Sequence, residues 1–294
     1  MKRADSYSSR MDADRLLALP PLVICKHWSQ RDTVLYNLGI GLGELAVDRP
    51  DCLPYVLDDR ARGFPTMPTV MGRDMRHWED PANGVDFSMM VHGEEWIEIL
   101  APVPAAGPIT SSERIEEIWD KGSGKAAIAS TVREIAGEDG VPFARCGSIL
   151  VIRDAGGFGG RPGGPPKGVA PPERAPDGEI LVTTRKDQAV LYRLSGDLNP
   201  LHFDPFTARK AGFDGPVLMG LCTMGIAARG ITLHRAESSP EKLRALRVRF
   251  TDIVYPGETL RIDYWNLPDR EVAFRASVDA RHALVLGDGR AKFD

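Results

Sequence analysis

The 294-residue chain has no charge excess, no paired cysteines and no long apolar run, and each absence removes a class of function. A net charge of -4 gives no broad basic field, so nucleic acid is not expected as the main partner. The four cysteines, Cys25, Cys52, Cys146 and Cys222, make no CxxC pair, which removes the common zinc and redox motifs. Scattered single thiols suit a reducing compartment. No apolar stretch reaches the roughly 18–20 residues that span a bilayer. The opening MKRADSYSSRMDADR lacks the apolar run of a secretory signal, and the closing AKFD is not a peroxisomal address. A soluble, cytoplasmic protein with no membrane partner is expected. No GxSxG elbow surrounds a serine, so Ser195 is not expected as a nucleophile. Its hydroxyl is expected to bond the backbone of its turn.

What the chain does have is a core and two similar halves. Apolar residues are 43% and charged residues 27%, enough for a globular fold. Residues 154–177 contain AGGFGGRPGGPPKGVAPPERAPD, too rich in Gly and Pro for a regular element. This linker separates a first half, 13–153, from a second, 178–294. Thr33-Val34-Leu35-Tyr36 is echoed by Ala189-Val190-Leu191-Tyr192. Each half then runs into four alternating, strand-like segments. They are 95–100, 111–119, 125–135 and 143–152, then 244–251, 258–265, 271–278 and 283–291. Residues 215–228 are apolar nearly all round, as in a helix buried on most sides. A long buried helix wrapped by an antiparallel sheet is an α+β architecture.

The chemistry concentrates in Tyr192-Arg193-Leu194-Ser195-Gly196-Asp197-Leu198-Asn199-Pro200-Leu201-His202-Phe203-Asp204-Pro205. Pro200 pushes Asn199 out of the α region, so 196–200 reads as a rigid turn. Asp204-Pro205 reads as an N-cap followed by Pro at the first helical position, opening a short helix that stops at Gly212. The turn aims Asp197 and His202 at one point. A carboxylate and an imidazole converging there can hold and activate a water, with Asn199 orienting either one. An ordinary Asx turn with a satisfied histidine is the plain alternative, and for any one of the three residues alone it is preferred. The three together, next to a buried helix, favour the chemical reading. If that helix begins near Leu218 or Met219, the Gly220 amide is an unpaired donor aimed by the helix dipole. Such a donor can stabilise charge on a carbonyl oxygen.

These residues resemble the hydratase 2 motif of the MaoC-like, R-specific enoyl-CoA hydratases. The resemblance continues through 211–223 and into the first half, at 31–36, Phe64-Pro65-Thr66, His92-Gly93-Glu94 and Gly156-Gly157-Phe158-Gly159-Gly160. It implies a double hot-dog subunit, two antiparallel sheets each wrapping a long buried helix, usually dimeric, that adds water to trans-2-enoyl-CoA and yields (R)-3-hydroxyacyl-CoA. By matching motif positions it implies Asp197 and His202 as the catalytic pair, Asn199 as their assistant and the Gly220 amide on the thioester carbonyl. It implies no metal and no redox cofactor. Relatives often carry His where this chain has Met219, which removes a polar side chain beside the thioester. Aligned through Tyr36 and Tyr192, Asp197 falls opposite Gly41 and Asn199 opposite Gly43. The first half therefore lacks the catalytic residues and is expected to serve as an acyl-chain chamber, the alternative being that it only completes the sheet.

CoA carries phosphates, so basic groups are expected at its rim. Arg185, Lys186, Arg209 and Lys210 lie close to the motif in sequence. The amides of Gly156, Gly157, Phe158 and Gly159 offer a second place for phosphate. His27, His77, His92, His234 and His282 are expected to be structural. Two other functions fit less well: a dehydratase of carrier-protein, steroid or branched thioesters, and a non-catalytic acyl-CoA-binding protein. The last would be expected to have lost Asp197 or His202.

Overall fold

The structure, a computed structural model, describes residues 11–234 and 239–294. Its strands are β1 Leu22–Trp28, β2 Met90–Ile99, β3 Gly107–Asp120, β4 Ala127–Ala136, β5 Pro142–Ile152, β6 Arg161–Pro162, β7 Gly178–Thr183, β8 Leu243–Phe250, β9 Thr259–Asn266, β10 Glu271–Val278 and β11 Ala283–Phe293. Its α-helices are α1 Ala13–Ala18, α2 Gln30–Gly39, α3 Leu42–Ala46, α4 Arg76–Glu79, α5 Gln188–Tyr192, α6 Pro205–Lys210 and α7 Gly220–His234. The eight strand-like segments of the sequence appear as β2 to β5 and β8 to β11. The edge strands β1 and β7 were not expected.

Strand order repeats between the two halves. The sheet runs β1-β3-β4-β5-β2-β8-β11-β10-β9-β7, with β6 added to β3. Read inward from either edge, the two halves have the same order: β1-β3-β4-β5-β2 and β7-β9-β10-β11-β8. They meet where β2 pairs antiparallel with β8, placing Glu95 opposite Val248 and Trp96 opposite Arg247.

The α+β double hot-dog class is what the sequence led one to expect, with two differences in detail. The two sheets are hydrogen-bonded into one. In addition, only the second half holds a long helix. α7 is buried at every position from Leu221 to Thr232 and lies against β7, β8 and β9. In the first half, the segment between α2 and β2 makes only short pieces, including a 3-10 turn at Met67–Thr69. Pro65 and Pro68 account for this, because proline lacks the N–H a helix needs and clashes with the preceding turn.

Both halves share one core. Tyr36, Ile40, Phe64 and Met67 pack in the same apolar cluster as Cys222, Met224, Ile226 and Ile231 of α7. Helix α2 packs on α5, and the Tyr36 and Tyr192 rings sit 5.8 Å apart. The linker, without regular structure apart from β6, is strapped to the second half. Its carbonyls at Ala170 and Arg174 accept hydrogen bonds from Arg290 and from the Trp265 Nε1.

Candidate active site

Local hydrogen bonds build the loop that carries Asp197 and His202. Helix α5 passes into a 3-10 turn at Arg193–Ser195 and then the loop. Asp197 Oδ1 accepts the Asn199 N–H at 3.2 Å, and Asn199 Oδ1 accepts the Leu201 N–H at 3.0 Å. The Asx turns therefore do form, and they shape the loop. A second 3-10 turn, Pro200–His202, follows, and then α6. Asp204 caps α6 through both carboxylate oxygens, at 3.0 Å to Phe206 N and 3.2 Å to Thr207 N.

Turn-making uses only one oxygen of Asp197. The other, Oδ2, faces His202 Nε2 at 3.7 Å. On the far side of the ring, Nδ1 lies 2.8 Å from the Val217 carbonyl oxygen. A carbonyl can only accept, so Nδ1 carries a proton, and in the tautomer this bond selects Nε2 is an acceptor. Two acceptors thus face one gap. At 3.7 Å they are beyond direct hydrogen-bond range, which ends near about 3.2 Å. A water has two O–H donors and can satisfy both. His202 is 13% exposed and Asp197 41%, so solvent and ligand can reach the pair from one side.

The same histidine ties the loop to α7. Val217 binds His202, and Leu218 N donates to Val254 O at 2.7 Å. Two residues later α7 begins, at Gly220. Thr223 N and Oγ1 both bond the Met219 carbonyl, which makes Met219 the N-cap. The Gly220 amide finds no acceptor among the described residues. A Cβ at this position would fall 3.0 Å from the Phe250 ring, so glycine keeps the approach to the amide narrow but open.

A second polar cluster, missed in the sequence, lies in the first half. Glu95 is fully buried on β2. Its Oε2 lies 2.9 Å from His92 Nε2 and 3.7 Å from Arg73 Nη1, and it accepts the Ser148 hydroxyl at 2.5 Å. Burial alone would raise its pKa, but the His92 bond and the Arg73 and Arg133 charges hold it below the ordinary value of 4.5. Burial likewise disfavours charge on Arg73. Glu95, Glu113 and Asp197 outweigh that and raise its pKa. His92 therefore does more than fill space: its ring lies 4.8 Å from Phe250, the ring that borders Gly220.

Other expected residues lie elsewhere. Arg185 pairs with Asp187 on the surface, and the Lys186 stem lies against Gly257; neither contacts the Asp197–His202 pair. The glycine run is already used. Gly156 N donates to Lys125 O, while Gly157 N and Gly159 N donate to the two oxygens of Asp120 at 2.6 and 2.7 Å. Those amides are satisfied inside the protein and are not free for phosphate, and Phe158 packs into a satellite apolar cluster with Trp78 and Ile118. The Ser195 hydroxyl is buried and makes no hydrogen bond among the described residues, so the expected bond to its turn is not formed. Among the described residues no helix is long and apolar enough to cross a membrane, and no group of three or more His, Cys, Asp or Glu is placed to hold a metal ion.

Comparison with known proteins matches both halves of the chain. Residues 168–285 match the family described as MaoC like domain, and residues 27–153 match the MFE-2 hydratase 2 N-terminal domain. A protein named probable enoyl-CoA hydratase 2, from Dictyostelium discoideum, is 34% identical over 269 residues, covering 90% of each chain. The chain belongs to the MaoC-like hydratase 2 family. A second member, the 3-hydroxyacyl-thioester dehydratase Y of Mycobacterium tuberculosis, is 36% identical over 281 residues, covering 90% of this chain and 93% of that one. A crystal structure of a MaoC-like dehydratase from Phytophthora capsici superposes with a TM-score of 0.82 at 31% identity, covering 96% of this chain and 98% of that one. Within this hydratase 2 family member, the boundary between the two matched regions falls in the linker.

Proposed function

We infer that this protein is a hydro-lyase that adds water reversibly to trans-2-enoyl-CoA, giving (R)-3-hydroxyacyl-CoA. One observation carries the assignment of residues. Asp197 Oδ2 and His202 Nε2 are two acceptors 3.7 Å apart, on a loop tied to the helix that starts with the unpaired Gly220 amide. A water held by both acceptors has its oxygen polarised toward the substrate. Its oxygen bonds the β-carbon while one of its protons passes through the pair to the α-carbon on the same face. Charge that builds on the thioester oxygen in between is met by the Gly220 N–H and the positive end of α7. The Asn199 amide nitrogen is left free by the turn and is placed to orient the water. Relatives named as enoyl-CoA hydratase and 3-hydroxyacyl-thioester dehydratase support this chemistry in both directions.

The first half is then the acyl-chain side. It has no long helix, but Phe64, Met67 and Met71 are fully buried in that place. An acyl chain enters by displacing them, and methionine is the side chain that rearranges most readily.

The test is absorbance at the enoyl-thioester band with purified protein and trans-2-enoyl-CoA of several lengths. Expected results are hydration to the (R)-3-hydroxy product and falls on the order of 10²-fold or more in Asp197→Ala and His202→Ala. Turnover that persists in either variant would overturn the residue assignment. Binding without turnover at every length would move the substrate to a carrier-bound or bulkier thioester.

A further inference from the structure

The amide at the start of α7 has an aromatic ring at its mouth, and that ring is held from the other half. An ideal Cβ on Gly220 would lie 3.0 Å from Phe250 Cε1, 3.1 Å from Cδ1 and 3.3 Å from Cζ. In an α-helix the Cα–Cβ bond tilts toward the helix N-terminus, and the N–H points the same way. An acceptor on the Gly220 N–H therefore shares the space that the edge of the Phe250 ring borders. Phe250 ends β8 and is partly buried, packed against the common core. Arg249, one residue earlier, stands opposite Glu94 across the seam between the halves. The ring of Phe250 thus meets His92 of β2, at 4.8 Å between ring centres and a tilt of 57°. Aromatic pairs favour such separations, about 4.5–7 Å. His92 is itself anchored. Residues three apart on a strand ordinarily face opposite ways. Here the register of β2 against β5 slips between His92 and Glu94, and the extra residue turns His92 to the side of Glu95. Glu95 Oε2 lies 2.9 Å from His92 Nε2 and also accepts the Ser148 hydroxyl at 2.5 Å, so the carboxylate that holds the imidazole is fixed from β5.

We propose that Phe250 is a specificity-determining residue, its ring narrowing the slot at the Gly220 amide to thioesters unbranched at the carbon next to the carbonyl, and that His92 is the positioning residue that holds the ring there. The inference rests on the function proposed above and narrows its substrate class. A carbonyl oxygen bonded to the amide sits about 2.9 Å from the Gly220 nitrogen. The acyl carbon beside that carbonyl is two bonds from the oxygen, so a methyl group on it adds bulk within reach of the ring. An unbranched enoyl group leaves the ring where it is. A methyl branch has to push it aside and lose its contact with His92, which the bond to Glu95 keeps from following. The first half thus sets the width of a slot whose hydrogen-bond donor belongs to the second.

The experiment compares two saturated thioesters, butyryl-CoA and 2-methylbutyryl-CoA, whose Kd values are measured by calorimetry in wild type, Phe250→Ala, His92→Gln and the double variant. Wild type is expected to bind the unbranched thioester more tightly. In Phe250→Ala that preference is expected to fall on the order of 10-fold, the scale on which a pocket reads one carbon. His92→Gln keeps a donor for Glu95 but removes the ring, and is expected to lose part of the preference. Adding it to Phe250→Ala should change nothing more, since the ring it positions is gone. A purely structural role for His92 would weaken both thioesters alike and leave the ratio unmoved. Should His92→Gln fail to fold, the shorter amide of His92→Asn takes its place. A wild type with no preference, or a ratio unmoved in folded Phe250→Ala, would overturn the slot. A ratio that moves in Phe250→Ala but not in the folded His92 variant would overturn the positioning role. Saturated thioesters cannot be hydrated, so the ratio stands apart from turnover. A wild type that binds them selectively yet hydrates no enoyl thioester rejects the function and leaves the slot in place.

Discussion

Glu95 is a carboxylate with no access to water, and only its neighbours can keep it ionised. His92, Arg73 and Arg133 do so against the cost of burial, and its pKa lies below the ordinary 4.5. The sign of the pH effect follows. A group with a lowered folded pKa contributes stability that is complete above its unfolded value and disappears as pH falls through its folded value. Glu95 therefore stabilises the protein at neutral pH and begins to lose that contribution as pH falls below about 4.5. Replacing it leaves the partly buried Arg73 short of a partner and is expected to destabilise the protein at neutral pH. Urea unfolding of wild type and Glu95→Gln at pH 7 and at about pH 3.5 tests this. The stability gap between them is expected to shrink in acid. A gap that is the same at both pH values would show that Glu95 is not charged in the folded protein. Glu95 was also the residue hardest to find in advance. Glu94 and Glu95 are adjacent on a strand, so one of them had to face inward. Glu94 takes Arg247 across β8, which leaves Glu95 for the interior. The partners that make an inward glutamate tolerable come from three separate segments, and no local pattern announces them.

At the scale of elements, the start of α7 carries the catalytic assignment. Gly220→Pro separates its two roles. Proline is well accommodated at the first position of a helix, so α7 should still form. The variant lacks the N–H assigned to the thioester oxygen. The ring also adds bulk beside Phe250, where a Cβ would stand 3.0 Å away. Gly220→Ala carries the same Cβ but keeps the amide, and serves as the control. Loss of one such donor costs on the order of 10²–10³ in kcat. Gly220→Pro is expected to show that loss, with Gly220→Ala falling far less. Equal losses in the two would assign the effect to crowding at Phe250 and remove the amide from the mechanism. The elements around this point were readable because their signals are local. Asp204-Pro205 capped α6, Asn199-Pro200 set the turn, and the apolar run of 215–228 marked α7, which begins at Gly220 and runs on to His234. The missing helix of the first half was equally local, written in Pro65 and Pro68, but similarity to the second half hid it. The edge strands β1 and β7 escaped notice because each pairs on one side only, and a short exposed strand has little apolar alternation to display.

At the scale of the molecule, the linker divides the sequence more sharply than it divides the structure. Four features cross the boundary. β2 pairs with β8, α2 packs on α5, Tyr36 lies against Tyr192, and α7 shares its core with Phe64 and Met67. Separation would expose the inner edges of β2 and β8, rows of unpaired N–H and C=O groups beside apolar side chains. It would also uncover one side of α7, which is buried at every position from Leu221 to Thr232. Residues 178–294 contain Asp197, His202 and Gly220, and so every group assigned to the reacting atoms in the proposed reaction. If the halves were independent, that fragment would fold and hydrate. The shared core predicts instead that it neither folds nor hydrates alone, and that the intact chain melts in one cooperative transition. Calorimetry of the full chain, with circular dichroism and activity of the 178–294 fragment, decides between these. Two resolved transitions, or a folded and active fragment, would mean that the first half is an accessory. One transition and an inactive fragment that regains activity when mixed with 13–153 would show that the site is completed across the β2–β8 seam. The acyl-chain space proposed for the first half would then be a reason why it is kept in the chain.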